Sequence, residues 1–170
     1  ALLVFNSCGG GKKGNSGKNI VNARAMSDPD MLNPLNTSST DGREIGNWIA
    51  MSLLGTDPKT LQLTPALAAS RPTVTEITEG EFKGGMKLDF EIRPEAMWDN
   101  GTPVTAKDYV FTLKMILNPN LKNPNLTPYY EWLADVVIDS ANPKKFSVYS
   151  SQKYFMTEEF AGGYVMPQYI

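Results

Sequence analysis

The chain has 170 residues, 41% hydrophobic and 20% charged, with a net charge of −2 and a pI near 5.2; that is a globular composition, long enough for one sizeable core and without the basic excess of a nucleic-acid binder. A single cysteine excludes an intrachain disulfide. The lack of histidine excludes Ser–His and Cys–His nucleophile pairs and histidine metal sites, and removes the commonest general base.

The opening ALLVFNS is far shorter than the ~20 apolar residues that span a bilayer. With the cysteine that follows, it resembles the end of a bacterial lipoprotein signal, which implies that residues 1–8 close a signal and that Cys8 is acylated. Residues 9–18, GGGKKGNSGK, form a flexible glycine-rich tether. They do not make a phosphate loop, because Gly17-Lys18 is followed by Asn19 where Ser or Thr is required.

Residues 19–26, NIVNARAM, read as a first strand, and Ser27-Asp28-Pro29-Asp30 turns it into MLNPLN. Asp41 and Glu44 have the spacing of a capping box. The helix they open carries Ile45, Trp48, Ile49 and Leu53 on one face, read as core, and Gly55 is its stop. Residues 56–71 read as a turn, a short strand and a helical turn capped by Thr64 with Pro65 first. The β-branched run 73–79 predicts a strand. A glycine-containing link, 80–85, joins it to the next strand as a hairpin.

In residues 87–93, Leu88, Phe90 and Ile92 alternate with Lys87, Asp89, Glu91 and Arg93. The period of two predicts a half-buried strand that Pro94 ends. Asn100-Gly101 is a turn pair. Thr105 and Asp108 form a capping box, with Asp in the usual Glu place. Tyr109, Val110, Leu113, Ile116 and Leu117 follow at helical spacing, and Asn118-Pro119 stops the helix. Residues 118–128, rich in Asn and Pro, read as an irregular loop. Tyr129, Tyr130 and Trp132 lie just beyond it. Their rings suit peptide side chains or other apolar ligands, or alternatively pack on the sheet. Strands at 136–139 and 144–150 flank Asn142-Pro143, and residues 155–160 fit a short helix. Glu158 and Glu159, adjacent and so unable to face one another on a helix, read as solvated surface.

The string WDNGTPVTAKDYVF, preceded by LDFEIRPEA, resembles the signature of solute-binding protein family 5, the extracytoplasmic peptide and oligopeptide receptors of ABC importers. Trp98, Gly101, Pro103, Thr105, Ala106, Asp108 and Phe111 match; Asn100, Ile92 and Tyr109 stand where the family has Asp, Leu and Val. Upstream, Asp57, Thr60, Pro65, Leu67, Ala68 and Ser70 match a second family stretch in the expected order. Asp28, Pro29, Leu32, Asn33 and Pro34 match the family's opening, and Met166-Pro167 its later stretch, with Gln168 for Lys.

The resemblance implies a mixed α/β (α+β) fold of the type II periplasmic-binding-protein kind, with residues 19–170 forming part of the first lobe and its subdomain only, the second lobe being absent. It implies a substrate-binding component of an ABC importer that captures peptides or similar small solutes, and a nickel complex or an oligosaccharide stays open as ligand. The partners implied are the solute, an ABC permease and a membrane reached through the lipid anchor, without nucleic acid. The place implied is the periplasm or cell surface, and the chain would act as a monomer without catalytic residues, cofactor or metal. Ligand contacts are expected in the segment after Asn33-Pro34, at Leu35, Asn36 and Thr37, and at the aromatic residues Tyr129, Tyr130 and Trp132. A ligand-anchoring carboxylate is expected beyond Ile170. Two other readings stay open: a surface lipoprotein with an adhesive role, and a hydrolase using Asp99 or Asp108. Against the hydrolase, Asp108 reads as a helix cap and Asp99 as a turn residue.

Overall fold

In the computed structural model the described residues are 24, 26–121 and 123–169. Cys8 and the tether at 9–18 lie outside them. Of the strand expected at 19–26 only Arg24 and Met26 are described, and neither is in a strand.

The sheet is built on the hairpin that the period-two pattern predicts. Strands β4 (Thr73–Glu76) and β5 (Met86–Glu91) pair antiparallel. The second pair, β6 (Leu133–Ile138) and β7 (Lys145–Ser150), completes a four-stranded antiparallel sheet in the order β4-β5-β7-β6. The register sets Leu88 opposite Val148 and Phe90 opposite Phe146, so the apolar faces of both central strands coincide. Helix α2 (Ala106–Leu117) lies across this face. Its Tyr109 ring meets Phe146 at 4.9 Å, and Phe146 stacks on Phe90 at 5.6 Å. Leu88, Phe90, Val148, Tyr109, Leu113 and Ile116 are all buried there. On the opposite face Lys87, Asp89, Glu91 and Lys145 pair with one another at the surface.

The capping box of α2 forms as the sequence predicts. Asp108 Oδ2 accepts the Thr105 N–H at 2.8 Å and the Thr105 hydroxyl at 3.2 Å. The other oxygen, Oδ1, accepts the Gln168 N–H at 3.0 Å, so one buried carboxylate both caps the helix and holds the end of the chain. The turn before it also holds: Gly101 has φ of 82°, and Asn100 Oδ1 accepts the Thr102 N–H at 2.9 Å. Lys144 fastens the bend that ends β5, donating to the carbonyls of Arg93, Pro94 and Ala96 at 3.0 Å each.

Around residues 40–71 the structure differs from the sequence reading. Helix α1 runs over Thr40–Ile49 with Ser39 as its N-cap, accepting from the Gly42 N–H at 3.0 Å. Asp41 does not form a box with Glu44. Its carboxylate turns back and accepts from the Met26 and Ser27 N–H groups and the Ser27 hydroxyl. The helix ends before Leu53, which lies between two of three short strands, β1 (Met51–Ser52), β2 (Leu54–Thr56) and β3 (Leu63–Pro65), and Gly55 falls within β2. Thr64 and Pro65 therefore pair in β3 with β2 instead of opening a helical turn. Nor are Trp48 and Ile49 core; they are 63% and 64% exposed. Beside Asp41, the buried residues of α1 are Gly42 and Gly46, and a Cβ at Gly46 would come within 3.0 Å of the Pro34 Cβ. Close approach of a loop to a helix face free of side chains replaces the apolar stripe.

The chain closes through α3 (Thr127–Tyr130), α4 (Thr157–Ala161) and β8 (Tyr164–Val165), which pairs antiparallel with β1. Glu158 is not free surface: it binds Arg71 through both oxygens, at 2.7 and 2.6 Å. Among the described residues no helix is long and apolar enough to cross a membrane.

Candidate functional site

A groove of about 450 Å³ opens between residues 34–38, the start of α1, and the α3–β8 side of the molecule. Leu35, Thr37 and Tyr129, three residues expected at a ligand cleft, line it together with Arg43 and Tyr164. They come from stretches about ninety positions apart, so the geometry depends on what joins them.

The first wall is a short turn. Asn33 accepts the Leu35 N–H on its side chain at 2.9 Å, and its carbonyl accepts the Asn36 and Thr37 N–H groups. This is the Asx-turn chemistry of an Asn before a proline. Asp30 then clamps the turn from outside. Its carboxylate accepts from the hydroxyls of Thr37, Ser38 and Ser39 and from the Ser38 N–H. These donors favour the charged form and hold the Asp30 carboxyl well below the usual carboxylate range, the Thr37 hydroxyl contributing most. Asp41 is lowered in the same way, mainly by the Ser27 hydroxyl.

The second wall is joined to the first by Asn123. Its side-chain amide donates to the Leu35 carbonyl at 2.9 Å and to Asn36 Oδ1 at 3.2 Å. It is only 6% exposed. Thr127 continues the link, its single hydroxyl hydrogen within reach of the carbonyls of both Asn123 and Ile116, at 2.8 and 2.9 Å. Nothing in the sequence distinguishes Asn123 from the turn asparagines around it. It stands in a run of Asn and Pro residues, and only its burial reveals its part.

The aromatic residues divide. Tyr129 is 47% exposed and stacks on Phe160 at 5.0 Å, so one ring edge reaches the groove. Tyr130 and Trp132 are 6% and 7% exposed and stand behind it in the core. Tyr130 meets Phe160 edge-on at 5.9 Å, and Trp132 meets Tyr154 edge-on at 5.5 Å. Burial pushes the Tyr130 hydroxyl up to about 12. Asn36 is exposed beside the groove and bound to Asn123. Tyr164, unmarked by the sequence, donates its hydroxyl to Asn47 and so joins α1 to β8.

A second, more apolar hollow of about 560 Å³ lies where β1 and β8 meet the Trp98 turn, with Met51, Met97 and Tyr169 at its rim. There the Tyr169 hydroxyl donates to Asp99 at 2.6 Å, and that hydrogen bond, more than any other cause, pushes it up to about 12. Asp99 is thereby engaged in holding the end of the chain, and Asp108 in capping α2. Both oxygens of Asp108 accept hydrogen bonds from the chain's own backbone. Among the described residues no group of three or more potential metal ligands occurs.

Comparison with known proteins gives a consistent picture. Residues 62–169 match the model of "Bacterial extracellular solute-binding proteins, family 5 Middle". The oligopeptide-binding protein OppA of Bacillus subtilis is 32% identical over 127 residues, which are 69% of this chain and 22% of that protein. Protein XP55 of Streptomyces lividans is 35% identical over 97 residues, 57% of this chain and 16% of that one. Among solved structures, NikZ of Campylobacter jejuni in complex with Ni(L-His) superimposes with a TM-score of 0.68 at 21% identity, over 85% of this chain and 26% of NikZ. AppA of Bacillus subtilis in complex with a nonapeptide gives 0.65 at 22% identity, over 85% and 27%. At these identities the structural likeness speaks for the fold alone, a mixed α/β one that matches about a quarter of each of those structures. The chain spans about a fifth of the curated relatives it matches.

Proposed function

The chain belongs to the bacterial extracellular solute-binding proteins of family 5, and from that premise we propose that it is the capturing part of a substrate-binding component of an ABC importer, taking up peptides or similar small solutes outside the cytoplasmic membrane. The observation that carries this is the groove in which Leu35, Thr37 and Tyr129 meet, held together by Asn123. A peptide suits it: the turn presents polar groups, and Tyr129 offers a ring for an apolar side chain. The printed ligands of two neighbours, a nonapeptide and a nickel–histidine complex, keep both solute classes in view. The oligopeptide-binding relative favours peptides.

In this reading the protein makes and breaks no bonds. Its mechanism is closure of two lobes on the solute, this chain supplying part of one. A permease in the membrane receives the solute, and acylated Cys8 with the 9–18 tether holds the receptor near it. An acyl chain contributes about 0.8 kcal/mol per buried methylene, so a stable anchor needs more than one chain.

Trp48, Trp98 and Trp132 provide the test. A pool of short peptides added to the 170-residue chain is expected to change its tryptophan fluorescence only at roughly millimolar concentration, the affinity of a few contacts, because these residues span only about a fifth of the length of the relatives they match. No change at any concentration would favour the adhesive role. Tight binding would show that no second lobe is needed.

A further inference from the structure

We propose that Arg43 forms a carboxylate-binding subsite in the groove between residues 34–38 and Tyr129, so that the solutes captured there carry a free carboxylate. The inference rests on the solute-binding reading and adds to it the chemical class of the ligand at this end of the groove.

Arg43 sits in the first turn of α1 and lines the groove. None of the other residues lining it is charged: Leu35, Thr37, Ser38, Asn125, Tyr129 and Tyr164 among them. Among the described residues the guanidinium makes one hydrogen bond to protein, from Nη2 to the Ser38 carbonyl at 3.1 Å. That bond orients the group and leaves most of its five N–H donors for a ligand. Among the described residues no carboxylate lies within ion-pair distance of it; the four ion pairs found there involve other residues.

Two of the acids near it in sequence are already satisfied, and its neighbour Glu44 is exposed and in none of the four ion pairs found among the described residues. Asp30 is taken up by Thr37, Ser38 and Ser39, and Asp41 by Met26 and Ser27. Asp30 in fact grips the same Ser38 whose carbonyl orients Arg43. The carboxylate fixes the loop, while the guanidinium has no ion-pair partner among the described residues. A planar, permanently charged fork with free donors, beside an aromatic ring, matches a carboxylate bidentately. In a peptide this is the C-terminus or an acidic side chain, and the test is built to tell these apart.

The test follows backbone amide and arginine side-chain NMR signals of the 170-residue chain during titration with the tripeptide Ala-Ala-Phe, its C-terminal amide, and the amide of Ala-Glu-Phe. The expected result is that Ala-Ala-Phe shifts the Arg43 side-chain signal and the amides of residues 35–38, with an affinity about tenfold above that of its amide. The advantage falls as salt is raised, since the site is open to solvent. Ala-Glu-Phe amide binding as well as the free acid assigns the subsite to carboxylates in general; failure to do so assigns it to C-termini. Arg43→Gln is expected to abolish the difference between acid and amide, and Arg43→Lys to restore part of it. Equal binding of acid and amide, unchanged by Arg43→Gln, would overturn the subsite and leave the peptide groove standing. Absence of shifts in the groove with every peptide would overturn both.

Discussion

Asn123 carries two hydrogen bonds across the groove from a buried position, so its removal leaves the Leu35 carbonyl without a partner. Asn123→Ala is expected to cost about 1–3 kcal/mol in chemical denaturation. Asp108→Asn, which weakens the cap of α2 and the hold on Gln168, should cost about 0.5–2 kcal/mol. It should do so without touching solute binding, measured as a lowered melting temperature with an unchanged peptide titration. The Asp30 clamp has a definite pH sign. Its folded carboxyl is held below the ordinary value near 3.9, so the clamp is fully present above that value and is lost as pH falls through the lower folded one. Amide exchange of residues 31–39 should therefore stay slow at about pH 4 and quicken only well below it. Tyr169 has the opposite sign, since its raised value means stability present below the ordinary phenol range and lost as pH rises through about 12. At this scale Asp108 was legible, because a Thr three residues before an Asp and ahead of a helical pattern admits one simple role. Asp41 had the same look and a different role, since a capping spacing does not say which way a carboxylate turns. Asn123 gave no signal, as a buried asparagine and a turn asparagine are the same letter.

Among the elements, those with a sustained period were readable. The alternation in β5 and the helical stripe of α2 each bury one face, and the core follows from them. The elements β1, β2, β3 and β8 are two or three residues long. No periodicity survives at that length, and their pairing is decided by partners distant in sequence. Helix α1 was found, but its buried face was misplaced, because packing through glycine leaves no apolar mark. That packing makes a sharp expectation: Trp48→Gln, on the exposed face, should change the stability of this chain by less than about 0.5 kcal/mol. Gly163→Ala should behave differently. A Cβ there would meet the Tyr130 hydroxyl at an impossible distance, and Tyr130 is too deeply packed against Phe160 to withdraw. A cost of about 1–3 kcal/mol is expected, read as a fall in the denaturation midpoint.

For the molecule as a whole, family motifs in the sequence announced the fold, and the structure fills in how they cooperate. The Trp98 turn and the α2 cap are held to the end of the chain by Tyr169 and Gln168. The opening turn at residues 33–37 is held to the middle of the chain by Asn123. Two cleft segments expected separately thus become the walls of one groove, with Tyr130 and Trp132 supporting it from behind. The long-range link was invisible beforehand because it rests on one side-chain amide. The measurement that tests this most directly is hydrogen–deuterium exchange of the 170-residue chain with and without a millimolar pool of short peptides. Added peptide is predicted to slow exchange in residues 33–38 and 123–130 together, since one groove with two joined walls must respond as a unit. Protection of one segment without the other, or protection confined to the hollow beside Trp98 and Tyr169, would contradict it.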